Sequence, residues 1–174
     1  MPDAVDRVLA QWAKERPDLD VSPMAVIGRI SRAEAILDRR IAAVLADHDL
    51  LPGEFDLLAA LRRAGSPHRL TVGEVLASTM VTSGAITNRL NRLVAKGLVS
   101  RETDPADRRS VIVTLTPQGL ATVNDALVSH VENERHLIAP LSEDEQAQMV
   151  ILLRKFLGGL GDGGAGIASD GEPA

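Results

Sequence analysis

The tightest constraint in this chain lies between Thr71 and Thr116, where two helix-patterned segments run directly into two strand-patterned ones. Thr71 and Glu74 have the Thr-x-x-Glu spacing of a capping box, and Val72, Val75 and Leu76 give the short helix behind them an apolar side. Ser78 to Val81 is too short and too polar for another element and reads as a turn. Thr82 then offers a second N-cap. Ile86, Leu90, Leu93 and Val94 follow at helical spacing, and Gly97 stands where the chain needs a left-handed residue to leave the helix. Beyond it, Val111, Val113 and Leu115 alternate with Ile112 and Thr114, the periodicity of a strand. Leu98 to Thr103 is its partner, and Asp104 to Arg109 is the loop between them.

A short helix, a turn, a longer helix and a two-stranded hairpin make a winged helix-turn-helix. The second helix of such a pair is the one that enters the major groove. The fold class expected is therefore mainly α with a small β-hairpin wing. Ser83, Gly84, Thr87 and Asn88 fall opposite Ile86 and Leu90, so with Thr82 they form the expected base-reading edge, Asn88 being suited to adenine. Arg92, and Arg108 and Arg109 at the wing tip, are the expected partners of phosphates or of the adjacent minor groove. Asp107 is the alternative partner of one wing arginine.

Charge agrees locally. The chain carries a net −5, but Thr71 to Thr116 holds six basic and four acidic residues, and no acid occurs from Thr82 to Lys96. A basic reading surface on an acidic body favours selective over indiscriminate binding to nucleic acid.

The flanks are helical. Asp3 to Glu15 carries Val5, Val8, Leu9 and Trp12 on one stripe. Ser22 before Pro23 is an N-cap signal for a helix to about His48, striped by Ile27, Ile30, Ala33, Leu37, Ile41, Val44 and Leu45. Pro52 opens another, with Phe55, Leu58 and Leu61 inward. Thr116-Pro117 starts a long helix ending by Pro140, and the capping box Ser142/Glu145 starts one that packs Met149, Val150, Leu153, Phe156 and Leu157. These helices carry more apolar stripe than a small winged domain can cover, which points to a homodimer. The expected organisation is 1–50 N-terminal helices, 51–116 the DNA-binding domain, 117–158 C-terminal dimerisation helices and 159–174 a Gly-, Ala-, Ser- and Asp-rich disordered tail.

Catalysis finds no support: there is no glycine-rich phosphate loop, nucleophile elbow or carboxylate pair. The spacing of His48, His68, His130 and His136 matches no common zinc pattern, and neither metal nor cofactor is expected. Asp47-His48-Asp49 reads as a solvated helix end. No apolar run approaches membrane-spanning length and no signal peptide opens the chain, so a cytoplasmic protein with no membrane partner is expected.

Trp12, Asp56, Arg89 and Arg101 stand apart. Arg101 is in phase with Val99, so it points toward the side that Val99 buries and there needs an anion. Asp56 falls in the first turn of its helix, where the macrodipole favours a carboxylate. Plainer readings stay open: Trp12 as packing, Asp56 as a dipole residue, the arginines as phosphate contacts.

Asp104-Pro105-Ala106-Asp107-Arg108-Arg109-Ser110, followed by Val-Ile-Val-Thr-Leu-Thr-Pro-Gln-Gly, resembles the wing signature of the MarR family of transcriptional regulators. The resemblance spans about residues 22 to 158. Trp12 to Asp18, Phe55-Asp56-Leu57-Leu58, Arg89 and Arg101 are similar to the urate-responsive subgroup and its relatives. That likeness implies a homodimeric repressor of a palindromic double-stranded operator. It would be released by a small anionic effector (urate, a related purine or a small carboxylate) held by Trp12, Asp56, Arg89 and Arg101. With no cysteine in the chain, the peroxide-sensing mode of some such regulators is excluded.

Overall fold

The computed structural model describes residues 2–78 and 83–162. In chain order the elements are α1 (Ala4–Glu15), α2 (Pro23–Ala46), α3 (Pro52–Arg63), β1 (Arg69–Thr71), α4 (Val72–Ser78), α5 (Ser83–Ala95), β2 (Val99–Thr103), β3 (Val111–Leu115), α6 (Pro117–Ile138) and α7 (Glu143–Gly159). The chain divides into two compact units, one through Asn133 and one from Glu134.

In the first unit α3 is the hub. Leu57, Leu58 and Leu61 meet Val75 of α4, Ile86, Leu90 and Leu93 of α5, Val113 of β3 and Val123 of α6 in one buried cluster. The capping box at Thr71 forms as the spacing predicts: Glu74 N–H donates to Thr71 Oγ1 at 3.2 Å, and Thr71 N–H donates back to the Glu74 carboxylate at 2.7 Å. Gly97 has φ +70° and turns the chain from α5 into β2. The residues of the expected turn after Ser78, and Thr82 as N-cap, lie outside the described residues, as does the tail from 163.

One local expectation is extended and another needs correction. The wing hairpin forms from β2 and β3 as expected, but the sheet is larger than the hairpin: β1 adds to β3, giving an antiparallel sheet in the order β1-β3-β2. Leu70 pairs with Val113 and Arg101 with Val113 from the other side. Ser22 does not cap α2. Its backbone is already helical (φ −55°, ψ −34°), so the hydroxyl cannot reach the first amides and donates to Asp20 instead.

α1 lies on α2, where Val5 packs over Gly28 and Arg29 bridges to Asp3 (2.9 Å) and Asp6 (2.6 Å). Leu45 at the end of α2 is buried in the core, but much of the remaining stripes is uncovered: Val8, Trp12, Met24, Val26, Ile27, Ile36 and Leu37 are exposed. In the second unit the Ser142 capping box forms, but α7 buries none of its residues within this chain. Met149, Val150, Leu153 and Leu157, expected to pack, are exposed. No described helix is long and apolar enough to cross a membrane.

Candidate nucleic-acid interface

The buried face of α5 fixes what the helix can present. Ile86, Leu90 and Leu93 are 1%, 1% and 0% exposed, which turns Thr87, Asn88 and Asn91 outward to solvent. Ser83 and Gly84 occupy the first turn of α5, with their side chains outside the described set.

The basic residues of α5 do not share that outward edge. Arg89 and Arg92 of α5, and Lys96 just past its end, follow at helical spacing of three and four, and they turn toward the first turn of α3. There sits a residue that the sequence reading missed, Glu54, whose side chain is wholly buried. Arg92 Nε donates to Glu54 Oε1 at 2.6 Å, Lys96 Nζ to Oε2 at 3.1 Å, and the Leu51 amide to Oε2 at 3.1 Å. Lys96 Nζ also donates to the Asp49 carbonyl. Burial pushes the Glu54 carboxyl up, but Arg92, the Leu51 amide and Lys96 together hold it below the usual glutamate value. Its phase was available in the sequence: Glu54 stands four and seven residues before Leu58 and Leu61, on the inward stripe.

The wing tip is held by its aspartates through backbone groups. Asp104 Oδ1 accepts from the Ala106 amide at 2.8 Å, and Asp107 Oδ1 accepts from the Arg109 amide at 3.0 Å. Arg108 and Arg109 remain exposed.

Of the four residues assigned to a ligand, the structure brings two together. Asp56 is the fifth residue of α3, not in its first turn, which holds Glu54. Crowding by the surrounding protein raises its pKa more than the charges of Arg89, Arg63 and His130 lower it. Arg89 lies over Gly53, where any Cβ would collide with the guanidinium, and its buried Nη1 has no hydrogen-bond partner among the described residues. Arg101 is exposed, not inward. It does share the face of Val99 and Val113, but β2 is an edge strand buried only at Val99, and the long side chain reaches out to donate to Asn91 Oδ1 at 2.8 Å. Trp12 is 41% exposed on α1. His48 is half-buried and its Nε2 meets Ser129 Oγ of α6 at 2.9 Å.

Over 149 residues the chain is 41% identical to the HTH-type transcriptional regulator PecS of Dickeya dadantii, a match covering 86% of this chain and 90% of that protein. The MarR family model matches residues 48–110, from the end of α2 to the wing tip. The chain belongs to the MarR family. It is a DNA-binding transcriptional regulator of winged-helix fold. Among solved structures it is similar to a mutant of Escherichia coli MarR complexed with operator DNA (30% identity, 79% of this chain and 96% of that one, TM-score 0.69). It is likewise similar to Bordetella bronchiseptica BpsR, described for regulation of its DNA binding by 6-hydroxynicotinic acid (30% identity, 76% and 98%, TM-score 0.67). In this MarR-family chain the outward edge of α5 is polar and uncharged at Thr87, Asn88 and Asn91.

Proposed function

We propose that this regulator is a cytoplasmic homodimeric repressor that reads a palindromic operator and leaves it when a small anion binds. The observation that carries the reading is the outward Thr87–Asn88 edge of α5 beside a wing whose two arginines are unburied. Thr82, Ser83 and Gly84 precede that edge in sequence and would enter the groove with it. Arg108 and Arg109 would take phosphates or the minor groove. The exposed stripes of α1, α2 and α7 support the dimer, because apolar surface on this scale is normally buried by a second copy. A two-fold pair of α5 helices spaced by one DNA turn matches a palindrome. Asn88→Ala should weaken binding to the cognate duplex by about 1–3 kcal/mol and leave random DNA almost unaffected. Titrations of both duplexes measure this, and equal losses on the two would end the assignment of Asn88 to base readout.

Release by an anion is supported by the unpartnered Nη1 of Arg89 beside Asp56, and by the Arg101–Asn91 bond between wing and recognition helix. An anion that draws Arg101 away removes that tie, and Trp12 would wall the site. The 6-hydroxynicotinic acid described as regulating DNA binding by BpsR belongs to this class of anion, a planar ring with a carboxylate. Coupling is reciprocal, so the effector that lowers operator affinity must bind the DNA complex more weakly than the free protein. Calorimetry with urate, a related purine, 6-hydroxynicotinate and a small polycarboxylate is expected to show one that binds the wild type. Trp12→Ala and Arg101→Ala should lose it. Equal binding by all three proteins would remove these residues from the site.

A further inference from the structure

The basic face of α5 is turned into the protein. Arg89 lies over Gly53, Arg92 and Lys96 close on the buried Glu54 carboxylate, and Lys96 also reaches the Asp49 carbonyl and carboxylate. All three of these partners belong to α3 or to the loop just before it. We propose that Glu54 is a positioning residue for operator recognition: it clamps Arg92 and Lys96 and so fixes the angle at which α5 presents Asn88, and these two cations serve the clamp rather than the DNA phosphates.

The chemistry favours this over a fortuitous ion pair. A wholly buried carboxylate is costly unless it is paired and hydrogen-bonded, and here two cations and one backbone amide converge on its two oxygens. The two cations are spaced one helical turn apart, so a single anion constrains both the rotation of α5 about its axis and its distance from α3. The Leu51 bond ties the same carboxylate to the start of α3, so the constraint refers α5 to the hub of the core. Arg92 is 46% exposed at its side chain and Lys96 26%, so neither cation is sealed in; Glu54 is the partner they share, and Asp49 holds Lys96 as well. Releasing them would add positive charge to the DNA-facing side while loosening the reading edge. Affinity for random DNA and affinity for the operator should therefore move apart, which neither a general loss of fold nor a lost phosphate contact produces.

This inference rests on the operator-binding reading above. The probes are a duplex that the full-length wild type selects from a random library and a scrambled duplex of equal length and composition. Glu54→Gln is nearly isosteric and Arg92→Gln acts at a half-exposed site, so if the first fails to fold, the second still tests the clamp. Each should lower the ratio of selected to scrambled affinity about tenfold, within the range of coupling in contacting networks, and the double variant should lose no more than the larger single loss. Binding of Glu54→Gln to the scrambled duplex should not fall, and the salt slope of Arg92→Gln on the selected duplex should match wild type. Equal losses on both duplexes, additive losses in the double variant, an unchanged ratio, or a slope reduced by about one in Arg92→Gln would each overturn the clamp. A wild type that selects no duplex overturns the operator reading and the clamp with it, whereas a selecting wild type with an indifferent Glu54 overturns the clamp alone.

Discussion

Gly119→Ala should destabilise the protein by about 3 kcal/mol or more, the upper end of the overpacking range. A Cβ at this position would stand 1.9 Å from the Leu98 carbonyl oxygen and 2.8 Å from its carbon. Both are backbone atoms, so no rotamer change relieves the overlap, and either the first turn of α6 or the junction of α5 with β2 must move. That junction is closely tied. Thr116 N–H donates to Leu98 O at 3.1 Å, Thr116 Oγ1 donates to Gly97 O at 2.7 Å, and Gly119 N–H donates to Thr116 Oγ1 at 2.9 Å. A shift of the size needed breaks several of these bonds together. Gly158→Ala is the control: nothing lies within 4 Å of its added Cβ, and it sits inside α7, so it should be neutral or stabilising by up to about 1 kcal/mol. Urea titrations at one protein concentration measure both, since a dimer's midpoint moves with concentration. A Gly119→Ala midpoint within error of wild type would mean that α6 approaches Leu98 less closely than the structure has it.

What the sequence disclosed, and what it withheld, divides by the reach of the interactions. The capping boxes at Thr71 and Ser142 and the left-handed exit at Gly97 depend on residues a few positions apart, and each forms as its spacing predicts. β1 was invisible because three residues carry no periodicity; it exists only through β3, which lies on the far side of α4 and α5. Arg101 shows a different limit. Alternation correctly assigns it to the face of Val99, but the depth of a face depends on what covers it, and the far end of an edge strand is uncovered. Net charge has a related limit: a count of basic residues between Thr71 and Thr116 does not show that Glu54, the third residue of α3, pairs with both Arg92 and Lys96. For the ligand residues, local pattern placed Asp56 and Arg89 on elements that do meet, through Gly53, while nothing local tells where the Trp12 face of α1 is directed.

The stability contributed by Glu54 should depend on pH in the acid range, and with a definite sign. The folded protein holds this carboxyl below its ordinary value, so the unfolded chain takes up a proton more readily. The contribution is therefore complete above the unfolded glutamate pKa of about 4.3 and is lost as pH falls through the lower folded value. At pH 7, Glu54→Gln should cost about 3 kcal/mol, the low end for breaking a buried pair, because solvent can reach the stranded Arg92 and Lys96. As pH falls below about 4.3 the gap between wild type and variant should narrow, since the unfolded wild type then takes up a proton on Glu54 that the variant has no carboxylate to bind. Asp56 has the opposite sign. Burial raises its pKa, so its ionisation on going to neutral pH works against the folded state, and Asp56→Asn should not lower stability at pH 7. Urea midpoints of the three proteins at pH 7 and near pH 3 separate these effects. A gap between wild type and Glu54→Gln that persists undiminished at the lower pH would show that the side chain stabilises by packing and hydrogen bonding, and that its charge does not hold α5 on α3.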